Sequence, residues 1–243
     1  MKPFQLLLFP AADELAAAAA AAWLDEVVAA RRLAKPHCVA LSGGRIAHRF
    51  FAAVVALAGQ RAISFAGVQF FFADERCVPP SDPDSNFKLA NDFLFLPLSI
   101  PAAQIHRLRG ELPSAAAVDL AAADCRQVMR VNEEQLPVFD VVFLGMGEDG
   151  HVASLFPGAP PESTERPVPF LAVENSPKPP PHRISLSFAA LAVSRQVWVL
   201  AAGPGKESIL RTSLSAAGIT PLARVVRSRQ HTKIFSEKEK NNL

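Results

Sequence analysis

Cysteine is scarce. The 243 residues hold three, Cys38, Cys77 and Cys125, an odd number at wide, unrelated spacings that builds neither a disulfide framework nor a zinc site. The expectation is a reduced, cytoplasmic protein in which Cys77 is a passive thiol. An excess of one charge sign is missing as well. Net charge is +2 and no block of lysine and arginine stands out, which argues against a nucleic-acid partner or an anionic membrane surface. Local basic residues still allow a small anionic ligand. Nor is there a long apolar run. The stretch from Phe4 to Phe9 is interrupted by Pro10, Asp13 and Glu14, too early for a signal-peptide core. The alanines from Ala16 to Ala22 lie between Asp13/Glu14 and Asp25/Glu26. That segment is too short and too weakly apolar to span a bilayer and reads as an amphipathic surface helix. Internal repeats and long linkers are also missing, so one domain is expected over residues 1–235, with a frayed polar tail over 236–243.

Half of the residues are hydrophobic, enough for a sizeable core. Short apolar runs at 5–9, 37–41, 68–73, 139–144, 183–188 and 197–201 predict strands, with a last short strand at Val225-Val226. Helical content lies between them. One helix is expected from a cap at Asp13 to about Arg32, another over 45–58 with Gly59 as its stop, and others over 87–95, 114–130 and 207–215. The proline-dense segment 157–181 is expected to wrap the surface. Strands alternating with helices predict an α/β fold: a doubly wound, mainly parallel sheet with helices on both faces, Rossmann-like.

The richest signal is the apolar run from Phe139 to Leu144, followed by Gly145-Met-Gly-Glu-Asp-Gly-His151. Ligands of open α/β sheets bind just beyond the carboxyl ends of such strands. Asp149 and His151 are delivered there two residues apart. An imidazole titrates near neutrality and can take a proton from water without a large shift. A metal ligand is the rival reading for His151, but no second histidine or cysteine lies at ligand spacing, so no metal is expected. The remaining histidines, His37, His48, His106, His182 and His231, read as structural or solvated.

Three other strand ends carry polar groups. Ser42-Gly43-Gly44 sits at a strand-to-helix turn, where glycines let the backbone approach a ligand and a helix start offers N–H groups to an anion. A purely structural turn explains it equally well, and it is not a Walker loop. Gly203-Pro-Gly-Lys206 repeats the arrangement. A lysine at the positive end of a helix is misplaced unless an anion sits nearby. Asp74-Glu75-Arg76 follows the third strand. Arg76 offers a fork for phosphate or carboxylate, Asp74 a group that orients or pairs with a cation, and Asn86 a helix cap or ligand contact.

Taken together, these segments resemble the 6-phosphogluconolactonase family. Leu41-Ser-Gly-Gly44, Ala73-Asp-Glu-Arg76 with Val78-Pro79 and Ser85-Asn86, Leu144 to His151 with Ala153-Ser-Leu-Phe-Pro-Gly158, Arg183-Ile-Ser-Leu186, and Gly203 with Lys206 stand in that family's order. The resemblance implies a glucosamine-6-phosphate deaminase-like fold and hydrolysis of 6-phospho-D-glucono-1,5-lactone in the oxidative pentose phosphate pathway. It implies no cofactor and a small phosphosugar lactone as the partner. The expected assembly is a monomer or weak homo-oligomer. His151 would activate water with Asp149 beside it. Ser42, Gly43, Gly44, Arg76 and Lys206 would hold the phosphate and line the pocket, with Asp74, Asn86 and Arg183 as further contacts. The oxyanion would face a cation such as Arg76 or backbone N–H groups near Gly147.

Two features depart from the family's pattern. Arg45-Ile46-Ala47 follows the double glycine, where a small hydroxyl residue and proline are usual, so Arg45 is expected to supply a cationic contact instead. The C-terminal segment lacks the usual tryptophan and acidic ending. The sugar-phosphate deaminases that share the fold carry a glutamate in the motif after Gly-His, where Phe156 aligns here. A non-catalytic sugar-phosphate sensor would be expected with a DNA-binding helix-turn-helix, for which the stretch before the first strand leaves no room.

Overall fold

The structure, a computed structural model, describes residues 4–160, 164 and 166–238. Strand β1 (Phe4–Phe9) leads into helix α1 (Ala12–Arg32), β2 (His37–Leu41), α2 (Arg45–Gln60), β3 (Val68–Phe72) and a short β4 (Asp74–Arg76). Helix α3 (Asn86–Ala90) continues as a π-turn over Asn91–Phe95, and α4 (Ser114–Val128) precedes β5 (Val141–Gly145). Strands β6 (Phe170–Val173) and β7 (Arg183–Leu186), helix α5 (Phe188–Val193), β8 (Gln196–Ala201), helices α6 (Lys206–Ser213) and α7 (Pro221–Arg227), and β9 (Thr232–Glu237) follow.

Six strands form one parallel sheet in the order β1-β9-β8-β5-β2-β3. Strands β4, β7 and β6 make a small antiparallel sheet beside it. In the large sheet the chain runs outward from β2 to β3 on one side and from β5 through β8 to β9 on the other. The reversal falls between β2 and β5, where a crevice opens at the carboxyl ends of the strands. Pairing there is brief. Val39 faces Val141 and Ala40 faces Val142, whereas β5 and β8 pair over five positions. Beyond the paired residues the hydroxyl of Ser42 donates to the carbonyl of Phe143 at 2.8 Å.

Alternation of side chains along the strands fills both faces. On one face Phe70, Phe50 and Phe143 surround Trp23 of α1. On the other, Phe71 stacks on His106, which bonds Asp124 of α4 at 2.9 Å. The core strand β2 is buried along its whole length, as a central parallel strand must be.

Local assignments differ from the sequence reading in several places. Val225 and Val226 lie in helix α7, not in a strand. Thr220 caps that helix by accepting from the N–H of Ala223 at 3.1 Å, and Pro221 fits its first turn. The last strand is instead β9, held between β1 and β8. It takes in Ser236 and Glu237, which the sequence assigned to the tail, and residues 239–243 lie outside the described ones. Helix α1 starts at Ala12, so Asp13 occupies the first turn and caps nothing, although acidic start and basic end suit the helix dipole. The helix expected over 87–95 changes to a π-turn after Ala90. Strand β6 lies inside the proline-dense segment, where no strand was expected. Asp74 to Arg76 is no simple exit to solvent, because β4 pairs with β7.

Candidate active site

The crevice between β2 and β5 holds a cleft of about 320 Å³. Its first wall is the turn after β2. A side chain at Gly43 would place a carbon 1.9 Å from the Oδ1 of Asn86, so only glycine lets that amide cover the turn. The Asn86 amide donates to the carbonyl of Asp74 at 2.8 Å and to its Oδ1 at 3.2 Å. Gly44 has φ 96° and is the residue just before α2, which brings that helix's unpaired N–H groups to the rim. Ser42, Gly43, Gly44 and Arg45 all line the cleft.

The opposite wall is the turn after β5. The chain doubles back so that the N–H of Gly147 donates to the carbonyl of His151 at 2.9 Å. Asp149 folds over the same glycine, its Oδ1 2.5 Å from the Nδ1 of His151. A Cβ at Gly147 would lie 2.0 Å from that nitrogen, so the pair exists because residue 147 has no side chain. Gly150, at φ 78°, packs against Thr220, and its carbonyl accepts from the N–H of Leu222 at 3.1 Å. Helix α7 thus braces the turn from behind.

With Nδ1 engaged, His151 is left with Nε2, which makes no hydrogen bond among the described residues. Burial pulls the imidazole pKa below its ordinary value, against the opposing pull of Asp149. For Asp149, burial works upward, but the hydrogen bond and charge of His151 outweigh it and hold the carboxyl below the usual range. The ring of Phe156 lies 4.7 Å from that of His151, and the guanidinium of Arg183 sits 5.5 Å from the centre of the same phenyl ring.

The cleft is rich in cations. Arg45, Arg76, Lys178, Arg183 and Lys206 line it, against Asp74 and Glu148. Arg76 donates through Nη1 to the carbonyl of Asp84 at 2.6 Å, and its Nη2 is left without a hydrogen bond among the described residues. Lys206 donates to the carbonyl of Met146 at 2.5 Å, and burial lowers its pKa. Arg45 is mostly exposed and stands 3.6 Å from Glu148. Asp74 is buried and accepts from Ser154 at 2.8 Å. Glu75 is buried beneath the site, where it accepts from the N–H groups of Arg76, Asn86 and Phe87 and from the Ser85 hydroxyl. Burial pushes its carboxyl up to about 7, and its bonds fix the turn that carries Asn86. Ser85, not Asn86, caps α3 by accepting from the N–H of Lys88.

All eleven residues singled out from the sequence therefore meet here. Ten line the cleft, and Asp149 joins through His151. Arg183 is buried, and most of its donors are spent on the carbonyls of residues 178–180. Lys178 escaped the sequence reading, and Glu148 and Ser154 were read only as parts of motifs, with no role of their own. The signal for Lys178 was a lone cation among prolines, just before the strand that carries Arg183. Among the described residues no three His, Cys, Asp or Glu side chains gather to hold a metal, and no helix is long and apolar enough to cross a membrane. A larger groove of about 900 Å³ lies elsewhere, between the π-turn and α4. It contains no part of the His151 turn.

Comparison with known proteins bears on the family and the fold. The sequence profile of the glucosamine-6-phosphate isomerases/6-phosphogluconolactonase family matches residues 10–235. The 6-phosphogluconolactonase of Streptomyces coelicolor is 36% identical over 221 residues, covering 88% of this chain and 84% of the relative. The solved structure of 6-phosphogluconolactonase from Trypanosoma brucei superposes with a TM-score of 0.82 at 27% identity, covering 97% of this chain and 96% of the other. A monomeric glucosamine-6-phosphate deaminase shares the fold, with a TM-score of 0.79 at 16% identity and coverage of 97% and 98%.

Proposed function

The chain belongs to the glucosamine-6-phosphate isomerase/6-phosphogluconolactonase family, and from that premise we propose how its cleft works. It is an enzyme of the lactonase kind, hydrolysing 6-phospho-D-glucono-1,5-lactone to 6-phospho-D-gluconate in the oxidative pentose phosphate pathway. His151 is the general base. The observation that carries this role is the division of its ring: Nδ1 is bonded to Asp149, and Nε2, on a residue that lines the cleft, has no hydrogen bond among the described residues. Asp149 fixes the tautomer. Water loses a proton to Nε2 as its oxygen bonds to the lactone carbonyl carbon. The ring C–O bond then breaks, and the proton passes from the imidazolium to the leaving oxygen. A positioned base of this kind is worth roughly 10²–10⁴-fold in rate, and a δ-lactone is activated enough that no covalent nucleophile is needed.

Ser42, Gly43, Gly44, Arg76 and Lys206 hold the phosphate. Turn N–H groups, a guanidinium and an ammonium converge on one cleft, as an anion requires. Asp74 and Asn86 set the shape of this wall, and Arg45 reaches over its rim as an added cation in place of the small hydroxyl residue. Arg183 contributes at the base of the cleft. No organic cofactor enters this scheme.

Phe156 favours lactone hydrolysis over the deaminase reaction. Its phenyl ring packs on His151, and it can neither give nor take the proton that an amine-releasing isomerisation needs. The deciding experiment assays hydrolysis of freshly generated 6-phosphogluconolactone alongside ammonia release from glucosamine 6-phosphate. Activity in the first assay alone is expected, and activity in the second alone overturns the assignment. The enzyme is further read as cytoplasmic, on the strength of its three unpaired cysteines. Its few large exposed apolar side chains suit a monomer or weak homo-oligomer, which sedimentation at working concentration tests.

A further inference from the structure

Lys178 enters the cleft from the loop before β7, in the run Ser176-Pro-Lys-Pro-Pro-Pro181. The loop is pinned by one buried side chain. Arg183 donates through Nε to the carbonyl of Pro180 at 3.1 Å, and through Nη2 to those of Pro179 at 3.0 Å and Lys178 at 3.1 Å. The Ser176 hydroxyl also donates to the Lys178 carbonyl, at 2.8 Å. Prolines suit this arrangement because they offer carbonyls without N–H groups and hold φ fixed. The backbone at Lys178 is thereby set in place, and its half-exposed ammonium comes to 3.8 Å from the Oδ1 of Asp149. That same oxygen faces the Nδ1 of His151 at 2.5 Å.

We propose that Lys178 is a positioning residue for the reaction: held by the Arg183 clamp, its ammonium shares the Asp149 carboxylate with His151 and keeps the imidazole neutral and ready to accept a proton. The proposal rests on His151 being the base. A carboxylate serving one cation attracts a second less strongly. Before the reaction, the imidazole stays unprotonated at a lower pH than Asp149 alone would allow. After it takes the proton from water, the imidazolium is crowded by a neighbouring ammonium, which favours passing the proton on to the leaving ring oxygen. The charged groups acting on His151 are Asp149 from its own turn, Lys178 from the proline loop and Asp74 from β4. Glu148, Arg45, Arg76, Arg183 and Lys206 line the rest of the cleft. Lys178 lowers the imidazole pKa in this set, and the two aspartates raise it.

The test follows the His151 imidazole titration by NMR in the wild type and in Lys178→Met and Lys178→Arg, with the pH profile of kcat/KM measured alongside and corrected for spontaneous hydrolysis. In Lys178→Met the midpoint is expected to rise by roughly half a unit to one unit, the scale for one half-exposed charge at close range. The acid limb of kcat/KM should rise by the same amount with KM little changed, and Lys178→Arg should restore both. Lys178→Gln repeats the measurement if the methionine variant fails to fold. An unmoved midpoint overturns the proposal, and so does a large rise in KM without a midpoint shift, which would make Lys178 a substrate contact. A midpoint that moves while the kinetic limb stays put overturns the base assignment instead, so the two failures are told apart.

Discussion

Each end of the parallel sheet carries a histidine–aspartate pair, and only one is suited to catalysis. At the carboxyl ends, His151 meets Asp149 at 2.5 Å. At the amino ends, His37 meets Asp140 at 4.0 Å, and Arg195 reaches the same aspartate at 3.3 Å. Both imidazoles are held below their ordinary pKa, chiefly by burial. Both border a cleft, and the one beside His37 is the larger, about 450 Å³ against about 320 Å³. Neither residue types, nor pKa direction, nor volume separates the two. Satisfaction does. His37 is buried, its Nε2 accepts from the indole N–H of the fully buried Trp23 at 3.1 Å, and Asp140 also accepts from the N–H of Cys38 at 2.8 Å. The Nε2 of His151, by contrast, makes no hydrogen bond among the described residues. The accepting nitrogen of His37 is spent on a buried indole, whereas the His151 pair leaves its accepting nitrogen to the cleft.

The sharpest contrast comes from replacing the two histidines. His151→Ala should lose roughly 10²–10⁴-fold in turnover while still binding 6-phosphogluconate. Near-normal turnover would refute its role. Gly147→Ala, which keeps His151 and Asp149 but drives a methyl group into them, should lose about 10²-fold through misplacement alone. Kinetics with a parallel thermal melt separates that loss from unfolding. His37→Ala should do the opposite, keeping turnover per folded molecule but losing about 1–3 kcal/mol of stability, because the Trp23 indole is left unpaired. The denaturant midpoint reads this, and a catalytic defect without destabilisation would break the comparison. Arg45→Ala should raise KM by only about two- to fivefold, as befits an exposed cation. Unchanged affinity would remove Arg45 from the phosphate site.

The pH dependence of stability also follows from the pair at the amino ends. The folded state holds His37 below its unfolded value, so the unfolded chain binds the proton more readily. Its contribution is intact above about pH 6.5 and is lost as pH falls from there through the lower folded value, then levels off. A chain carrying His37→Gln should show a shallower decline over that window in denaturant titrations.

Much of this was legible in the sequence, for physical reasons. Parallel strands buried on both faces read as continuous apolar runs, and β2, β3, β5 and β8 stood out accordingly. The polar groups that follow them could be placed at one rim because strand ends in such sheets converge. Val225 and Val226 misled because β-branched residues favour strands locally, while the Thr220 cap and Pro221 start a helix that packs them inward. Strand β6 and Lys178 were hidden for a common reason. Their positions depend on Arg183 and on antiparallel pairing across the small sheet, contacts between distant residues that no local pattern records. The division of labour within the His151 ring was invisible as well, since it depends on the fold-back over Gly147.

The brief pairing of β2 with β5 has a consequence for how the molecule folds. The cleft straddles a seam paired at only two register positions and tied at its ends by the Ser42 hydroxyl and by bonds between Cys38 and Asp140, and its residues come from both sides. A chain whose half-sheets have not met holds no cleft, so a bound phosphosugar acts as a strut across the joint. Occupancy then reports completion of the sheet itself. At a hundredfold excess over its dissociation constant such a ligand adds about 2.7 kcal/mol to the cohesion of the whole chain, and protection from proteolysis should spread far beyond the residues it touches.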